Sequence, residues 1–416
     1  MKQLIIILIL LTALPSIAQQ SITLEECYNL VTTNYPLAKQ SKLLNTQNKL
    51  EAAVISTSQL PQISLDAYAT YLSDVIEFPA TMSAVEPLNN DQYRATVSVN
   101  QLIYNGGATG ASLDLKSAQL KTKQKQVEVS LYQLKQQINQ LYFSILLAQE
   151  SKLLLNAKQT QLQAKLKEIQ SGIKYGAVLP SSDKVLQAEL LKIDQQFKEL
   201  ESNKLTLIQS LSSLISLQLN SSTLFQNSLV ETQLQTDLTR PELELFQLKK
   251  EEIENSESVL SKQNAPKLLG FATGGYGNPG LNMLDNSFQT FYTVGVKLNW
   301  KVFDWNSNKK QRESLLINKD IIDNETEIFK LNTNIELNKQ QKEIDKTEAF
   351  ITSDLEIINL RKEVLKSADS QLKNGVITSS AYITELTNLY EDENTLVKHK
   401  IQLQLAKSNY NIIKGQ

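Results

Sequence analysis

The chain has 416 residues with 42 basic and 44 acidic side chains, and its net charge of −2 argues against a nucleic-acid partner, which requires a basic excess. Glycine and proline are sparse and the mean hydropathy is −0.26, which is typical of a helix-rich protein and excludes one built from many membrane helices. The single histidine, His399, and the single cysteine, Cys27, supply no cluster for a metal site or a catalytic triad. We therefore predict neither an enzyme nor a bound cofactor, and interpret His399 as a solvated helix residue.

Residues 1–18 have the pattern of a secretory signal peptide. Lys2 begins it, an apolar run from Leu4 to Leu14 follows, and Ser16 and Ala18 are the small residues that precede a cleavage site. This pattern predicts cleavage after Ala18 and export of the remaining chain.

The rest of the sequence repeats itself once. Pro36 and Pro241 each lie at the start of a predicted helix, Pro61 and Pro266 each follow one, and the members of both pairs are 205 residues apart. Two further pairs of segments correspond at a spacing of 199 residues: 102–106 with 301–305, and 175–176 with 374–375. This pattern predicts a tandem duplication, with a first repeat over 19–218, a linker over 219–238 and a second repeat over 239–416.

Each repeat contains one very long predicted helix. Apolar residues recur every seven positions from Leu113 to Ile169 and again from Leu337 to Leu372, which is the spacing of helices packed as in a coiled coil. A shorter apolar-patterned segment follows each long one, so each repeat is predicted to fold back as an antiparallel helical hairpin. The predicted helices cover 107–175 and 181–216 in the first repeat, and 306–373 and 379–412 in the second.

Ahead of each long helix, polar and apolar residues alternate with the period of β-strands. Predicted strands cover 62–74, 91–103, 267–277 and 288–302, lengths that cross a bilayer when tilted. One side of these strands is apolar and is predicted to face lipid, as for Val97, Val99, Val296 and Trp300. The other side is predicted to face water inside a barrel and carries Arg94, Thr96, Ser98, Asn100, Lys297 and Asn299.

Four strands are too few to close a membrane barrel, and an open edge in lipid leaves backbone groups unpaired. Three copies of the chain supply twelve strands and leave a passage, whereas two copies supply eight and the interior is then nearly filled by side chains. The predicted fold class is therefore mainly α with a small β part, in which long helical hairpins continue from strands that a homotrimer shares in one barrel.

These features, in this order, resemble the TolC family of outer-membrane efflux proteins over about residues 21–413. The segments that carry the resemblance are the proline-led helix starts at 34–37 and 240–243, the strand start at 60–63, the corners at 104–107 and 303–306, and the turns at 175–183 and 374–385. The resemblance implies a homotrimeric channel in the bacterial outer membrane, with its helical part in the periplasm. The implied partners are outer-membrane lipid, a periplasmic adaptor (membrane fusion protein), and an inner-membrane RND or ABC pump of an efflux or type I secretion system.

The resemblance also implies a role for the two turns that end the long helices. In the family these turns form the periplasmic tips, where the passage narrows and the adaptor docks. Carried onto this chain, the tip residues are Gly176, Pro180, Ser182, Asp183, Gly375, Ser379, Ser380 and Tyr382. Asp183 is the candidate for an acidic ring that favours cations, although a carboxylate in the first turn of a helix also simply complements the helix dipole.

Two departures from the commoner family pattern concern these tips. Pro180 lies inside the first turn, and the second turn has Thr378–Ala381 where some members have an arginine that holds the aperture shut. A periplasmic coiled-coil scaffold or adaptor without a pore is the alternative that the heptads alone allow. The four amphipathic strands favour the channel, since a scaffold has no use for them.

Overall fold

The structure is a computed structural model, and it describes residues 21–76, 86–176, 178–227, 229–232 and 237–416. The predicted signal peptide lies outside these residues. The chain forms two compact units, one from Val127–Pro241, Ile328–Gln416 and the described residues up to Lys39, and the other from Gln40–Gln126 and Glu242–Glu327. Neither unit corresponds to a sequence repeat, because each combines segments of both repeats.

The predicted mainly α fold with a small β part is confirmed, since most of the described residues are helical and the strands are few. In the first repeat the elements are β1 (Ser21–Ile22), α1 (Leu24–Asn34), α2 (Ala38–Thr57), β2 (Gln62–Tyr71), β3 (Asp91–Tyr104), α3 (Ala108–Lys174) and α4 (Ser182–Ile215). In the rest of the chain they are β4 (Leu224–Phe225), α5 (Pro241–Ser261), β5 (Lys267–Asn278), β6 (Gln289–Asn299), α6 (Ser307–Lys373) and α7 (Ser379–Lys414). The long helices α3 and α6 each have 67 residues, and a helix of that size is about 100 Å long.

Four strands form one antiparallel sheet in the order β2-β3-β5-β6, so the repeats meet where β3 pairs with β5. Strands β2 and β6 are the edges. Both edge strands end three residues earlier than their sequence patterns predict, because each ends where its neighbour does: Tyr71 pairs with Asp91, the first residue of β3, and Asn299 pairs with Lys267, the first residue of β5.

Backbone conformation repeats at corresponding turns of the two repeats. The corner after β3 has positive φ angles at Gly106 and Gly107 (66° and 82°), and the corner after β6 has them at Trp305 and Asn306 (55° and 60°). The turns that end α3 and α6 have φ of 73° at Gly176 and 68° at Gly375. All three pairs are 199 residues apart, which supports the duplication that the sequence predicts.

Side chains at heptad spacing form the helical core of the unit that contains Val127–Pro241. Leu155, Leu162 and Ile169 of α3 pack in one cluster with buried residues of α4, α6 and α7. Ion pairs join α3 to α4 from Lys152 to Glu201 and from Lys158 to Glu189, so residue numbers rise along one helix as they fall along the other. The hairpin is therefore antiparallel, as predicted.

The first described residues and the linker between the repeats pack together in the same unit. Strand β1 pairs in parallel with β4, and Phe225 of β4 is buried against the ring of Tyr142 in α3, with 5.3 Å between ring centroids. The Tyr142 hydroxyl lies 3.0 Å from the carbonyl oxygen of Ile22 and 2.8 Å from that of Gln226. The described part of the linker is thus anchored to the core.

The interpretation of His399 as a solvated residue is wrong. Its side chain is only 19% exposed, and its Nδ1 atom lies 2.6 Å from a carboxylate oxygen of Asp354 in α6. The ring of Phe350 covers it at 5.3 Å between centroids. Across the described ranges, no helix combines the length and the apolar character that crossing a membrane requires.

Candidate functional site: a two-faced sheet and paired helical turns

The sheet register places all six predicted water-facing residues on one face. Directly paired residues of an antiparallel sheet lie on the same face. Arg94, Thr96, Ser98 and Asn100 alternate along β3, and the same row of pairings links Leu102 to Leu269 and then to Lys297. Asn299 follows Lys297 by two positions and shares that face. We call this surface the polar face; that it lines water stays a prediction.

The opposite surface, which we call the apolar face, is exposed in the single chain. Leu65, Val294 and Val296 are 73%, 73% and 70% exposed, values that water-soluble sheets avoid for adjacent aliphatic side chains. At the loop end of this face, Phe288 stacks with Tyr276 and Tyr93 at 5.4 Å and 6.3 Å between ring centroids. Aromatic side chains at the margin of an aliphatic band are typical of strands that cross a membrane.

Aromatic rings also lie on the polar face, each over a glycine of the neighbouring strand. Phe291 pairs with Gly275 and Phe271 pairs with Gly295. A Cβ atom added to Gly275 would lie 2.4 Å from the Phe291 ring, and one added to Gly295 would lie 2.7 Å from the Phe271 ring. Gly275 of β5 and Gly295 of β6 therefore make room for these rings.

Arg94 ties the polar face to the loop between β5 and β6. Its Nη2 atom donates hydrogen bonds to the carbonyl oxygens of Pro279 and Gly280 at 3.1 Å and 3.2 Å. The guanidinium lies 5.3 Å from the Phe291 ring and 6.0 Å from the Tyr68 ring. Such contacts hold a cation on this face without neutralising its charge.

The turns that end α3 and α6 line one groove of about 440 Å³. Five of the eight predicted tip residues line it: Gly176, Pro180, Ser182, Gly375 and Ser379. Polar and apolar groups share its walls, and both turns supply its apolar side chains, namely Ile173, Val178, Leu179, Leu372, Val376 and Ile377. Leu179 and Val376 are 69% and 70% exposed, so the groove is bordered by uncovered aliphatic surface.

The other three predicted tip residues lie elsewhere. Ser380 is exposed, and Tyr382 is buried beside a separate cavity. The Asp183 side chain is only 14% exposed, and its Oδ2 atom lies 3.3 Å from Nζ of Lys184 and accepts a hydrogen bond from Gln187 at 3.4 Å. This position in the first turn of α4 agrees with the helix-dipole interpretation, while the acidic ring stays a prediction.

Comparisons with known proteins give one kind of match. No protein-family model and no curated protein sequence matches the chain. A solved structure of CusC, described in terms of transmembrane channel formation, matches 94% of this chain and 92% of its own with a TM-score of 0.69 at 11% identity. The outer-membrane protein VceC of Vibrio cholerae matches 94% of this chain and 96% of its own, with a TM-score of 0.64 at 13% identity.

The CmeC outer-membrane channel of Campylobacter jejuni has a TM-score of 0.65 at 16% identity and covers 94% of this chain and 84% of its own. The chain has the outer-membrane channel fold. The predicted resemblance to the TolC family is thereby confirmed for the fold. At these low sequence identities the match concerns the fold alone.

One charged cluster of this chain was not found from the sequence. Lys165 of α3 pairs with Glu168 at 2.6 Å and with Asp369 of α6, and Lys373 pairs with Asp369 at 2.8 Å. The Lys165 amino group also lies 5.2 Å from the ring of Tyr382. The cluster joins α3 about two turns before its end to the last turn of α6.

The cluster shifts the ionisation of its members. Burial disfavours the charge on Lys165, but hydrogen bonds to Asp369 and Glu168 outweigh burial and raise the pKa of Lys165. Burial opposes the charge on Asp369 as well, and the hydrogen bonds from Lys165 and Lys373 nevertheless lower its pKa. Burial raises the pKa of Tyr382. One sequence signal could have found the cluster: Lys158 and Lys165 repeat the seven-residue spacing of the apolar row, three positions after Leu155 and Leu162.

Proposed function

We propose that the chain is a trimeric channel of the bacterial outer membrane that serves as the exit duct of a tripartite efflux pump or a type I secretion system. It would conduct substrates passively from a periplasmic adaptor and an inner-membrane RND or ABC pump to the exterior. The outer-membrane channel fold supports the first part of this proposal. The second part extends the family resemblance to this chain.

The observation that carries the proposal is a single sheet with one exposed apolar face and two open edges. Backbone groups at an edge must find partners in lipid, at several kcal/mol for each group left unpaired. Strands β2 and β6 have 10 and 11 residues, and in the all-antiparallel order β2-β3-β5-β6 they run in opposite directions. The edges of successive copies are therefore suited to join, and three copies close a barrel of about twelve strands.

The groove at the helical turns suits the docking of an adaptor. Its walls combine exposed aliphatic side chains with a buried hydroxyl, that of Ser379, which has no hydrogen-bond partner among the described residues. Burial of such surface against another protein removes apolar area from water. We therefore propose that the adaptor contacts the exposed side chains of Leu179 and Val376, beside the buried Ser379.

The assignment of the apolar face to lipid is tested by placing an arginine on one face of the sheet or on the other. Val296→Arg puts a cation on the apolar face and costs about 2 to 4 kcal/mol at the bilayer midplane, so we expect the protein to be lost from the outer-membrane fraction. Thr293→Arg puts the same side chain on the polar face of the same strand and is the matched control.

The readouts are fractionation of the cell envelope and the mass of the detergent-purified protein. We expect the unaltered chain and Thr293→Arg in the outer membrane at the mass of a trimer. A water-soluble monomer would favour the coiled-coil scaffold instead. Equal membrane assembly of both arginine variants would overturn the assignment of the apolar face.

A further inference from the structure

The duplication preserves the hydrogen-bond register of the sheet to the residue. Strands β2 and β5 correspond at a spacing of 205 residues, and β3 and β6 at a spacing of 199. Gln62 pairs with Asn100 in the first repeat, and Lys267 pairs with Asn299 in the second. Lys267 is the counterpart of Gln62 and Asn299 is the counterpart of Asn100, so the two hairpins are equivalent pair by pair.

The junction between the repeats supplies a template for a second junction. At the pairing of β3 with β5, Val99 lies opposite Ala272 and Ser98 lies opposite Thr273. The edge strands β6 and β2 are the counterparts of β3 and β5. They lie at opposite edges of one chain, so only another copy of the chain can bring them together.

We propose that β6 of one copy pairs with β2 of the next in the register of the internal β3–β5 junction. Translated by the two spacings, this register sets Leu298 opposite Ala67 and Lys297 opposite Tyr68 of the next copy. It also sets Asn299 opposite Asp66. The inference rests on the proposed shared barrel and adds which residues meet across its seams.

The side chains agree with this register. Leu298 and Ala67 both belong to the apolar face, and Lys297, Tyr68 and Asp66 all belong to the polar face, as the sheet pairings assign them. Lys297 would lie diagonal to Asp66 of the next copy, which is within reach of a long side chain. In the single chain Lys297 is exposed and forms no ion pair with any residue that the structure describes.

The end of β6 gives independent support. The polar and apolar alternation predicts a strand to residue 302, yet β6 ends at Asn299, because β5, its partner among the described residues, begins at Lys267. Strand β3, the counterpart of β6, is paired with β5 as far as Leu268 and therefore continues to Tyr104, which corresponds to Phe303. The proposed register places Leu65 of the next copy opposite Trp300, so residues 300–303 gain a partner and extend β6 when the copies assemble.

Cysteine cross-linking of the full chain tests the register. Leu298→Cys combined with Ala67→Cys, and Lys297→Cys combined with Tyr68→Cys, are expected to form covalent dimers and trimers on mild oxidation. Paired positions along an antiparallel sheet alternate between hydrogen-bonded and non-hydrogen-bonded pairs, and side chains lie closer in the second kind. One of these two neighbouring pairs is therefore of the closer kind. The native Cys27 is fully buried and is retained.

Register-shifted pairs separate this inference from a shared barrel in general. Leu298→Cys combined with Leu65→Cys or Ala69→Cys moves one partner by two positions, to about 7 to 8 Å, beyond the usual disulfide range, so we expect at least about fivefold less cross-linking. Val99→Cys combined with Ala272→Cys is the matched control, because it lies at the equivalent internal junction and is expected to cross-link within one chain only.

Each outcome decides a separate point. Stronger cross-linking of a shifted pair would overturn the register and leave the shared barrel standing. Trimers that form no covalent oligomer with any pair would overturn the pairing of β6 with β2. A monomeric unaltered chain would overturn the proposed function, and this inference with it. Each variant is first checked for trimer mass, and should one pair fail to assemble, the other decides.

Discussion

The two corners at which a strand of the sheet leads into a long helix have the same backbone conformation but side chains of very different size. The corner after β3 uses Gly106 and Gly107 for its left-handed residues, whereas the corner after β6 uses Trp305 and Asn306. A residue with a Cβ atom pays roughly 1 to 2 kcal/mol for this conformation, and a tryptophan there is unusual. The second repeat therefore accepts strain that the first one avoids.

The neighbours of each corner explain the difference. A Cβ atom on Gly106 would lie 2.1 Å from the Cβ atom of Ala265. The corner after β3, which we call the inner corner, therefore admits only the smallest residue. At the corner after β6, which we call the outer corner, Trp305 is 81% exposed and its ring lies 4.8 Å from that of Phe303. Both repeats keep the backbone path, and the size of the side chain at each corner follows the space available there.

Filling the inner corner is expected to have the largest effect. Gly106→Ala combines backbone strain with overpacking against Ala265 and should lower the free energy of unfolding by roughly 2 to 5 kcal/mol. Gly107→Ala is the control, because it has the same backbone conformation but nothing within 4 Å of an added Cβ atom, and should cost only about 1 to 2 kcal/mol. Guanidinium unfolding in detergent measures both; equal losses would show that Ala265 imposes no constraint.

Relaxing the outer corner should have a smaller effect of the opposite sign. Trp305→Gly and Trp305→Ala both remove the contact with Phe303, whose ring centroid lies 4.8 Å away, so their difference isolates the backbone. We expect the free energy of unfolding of Trp305→Gly to be about 1 kcal/mol higher than that of Trp305→Ala, because glycine takes a φ of 55° without strain. An alanine variant as stable as the glycine variant would mean that the corner is unstrained.

A smaller difference between the repeats lies at the starts of α4 and α7, which follow the turns that end the long helices. The Thr378 side chain accepts a hydrogen bond from the backbone N–H of Ala381 at 3.2 Å and caps α7, whereas Ser181 at the start of α4 makes no such bond. Thr378→Ala should cost about 1 kcal/mol, and Ser181→Ala less than about 0.5 kcal/mol. Hydrogen exchange of the first amides of each helix reports the result, and a cost as large at Ser181 would contradict this difference in capping.

Local periodicity made much of the fold predictable. The seven-residue rows predict the long helices and the alternation predicts the strands, because both patterns record which side of an element is buried. Strands β1 and β4 were missed, since two residues each are too few to show any period. His399 was misjudged because its partner, Asp354, lies 45 residues away, and the Lys165 cluster was missed because Asp369 is 204 residues away.

By itself the sequence determined the duplicated order of helices and strands and which side chains alternate along each strand, because these follow from the chemistry of near neighbours in the chain. Only the tertiary structure decided that the repeats join through β3 and β5, that Gly106 packs on Ala265, and that two strand edges stay open. The physical reason is that pairing of distant segments depends on register and space, neither of which is written in the period of either segment.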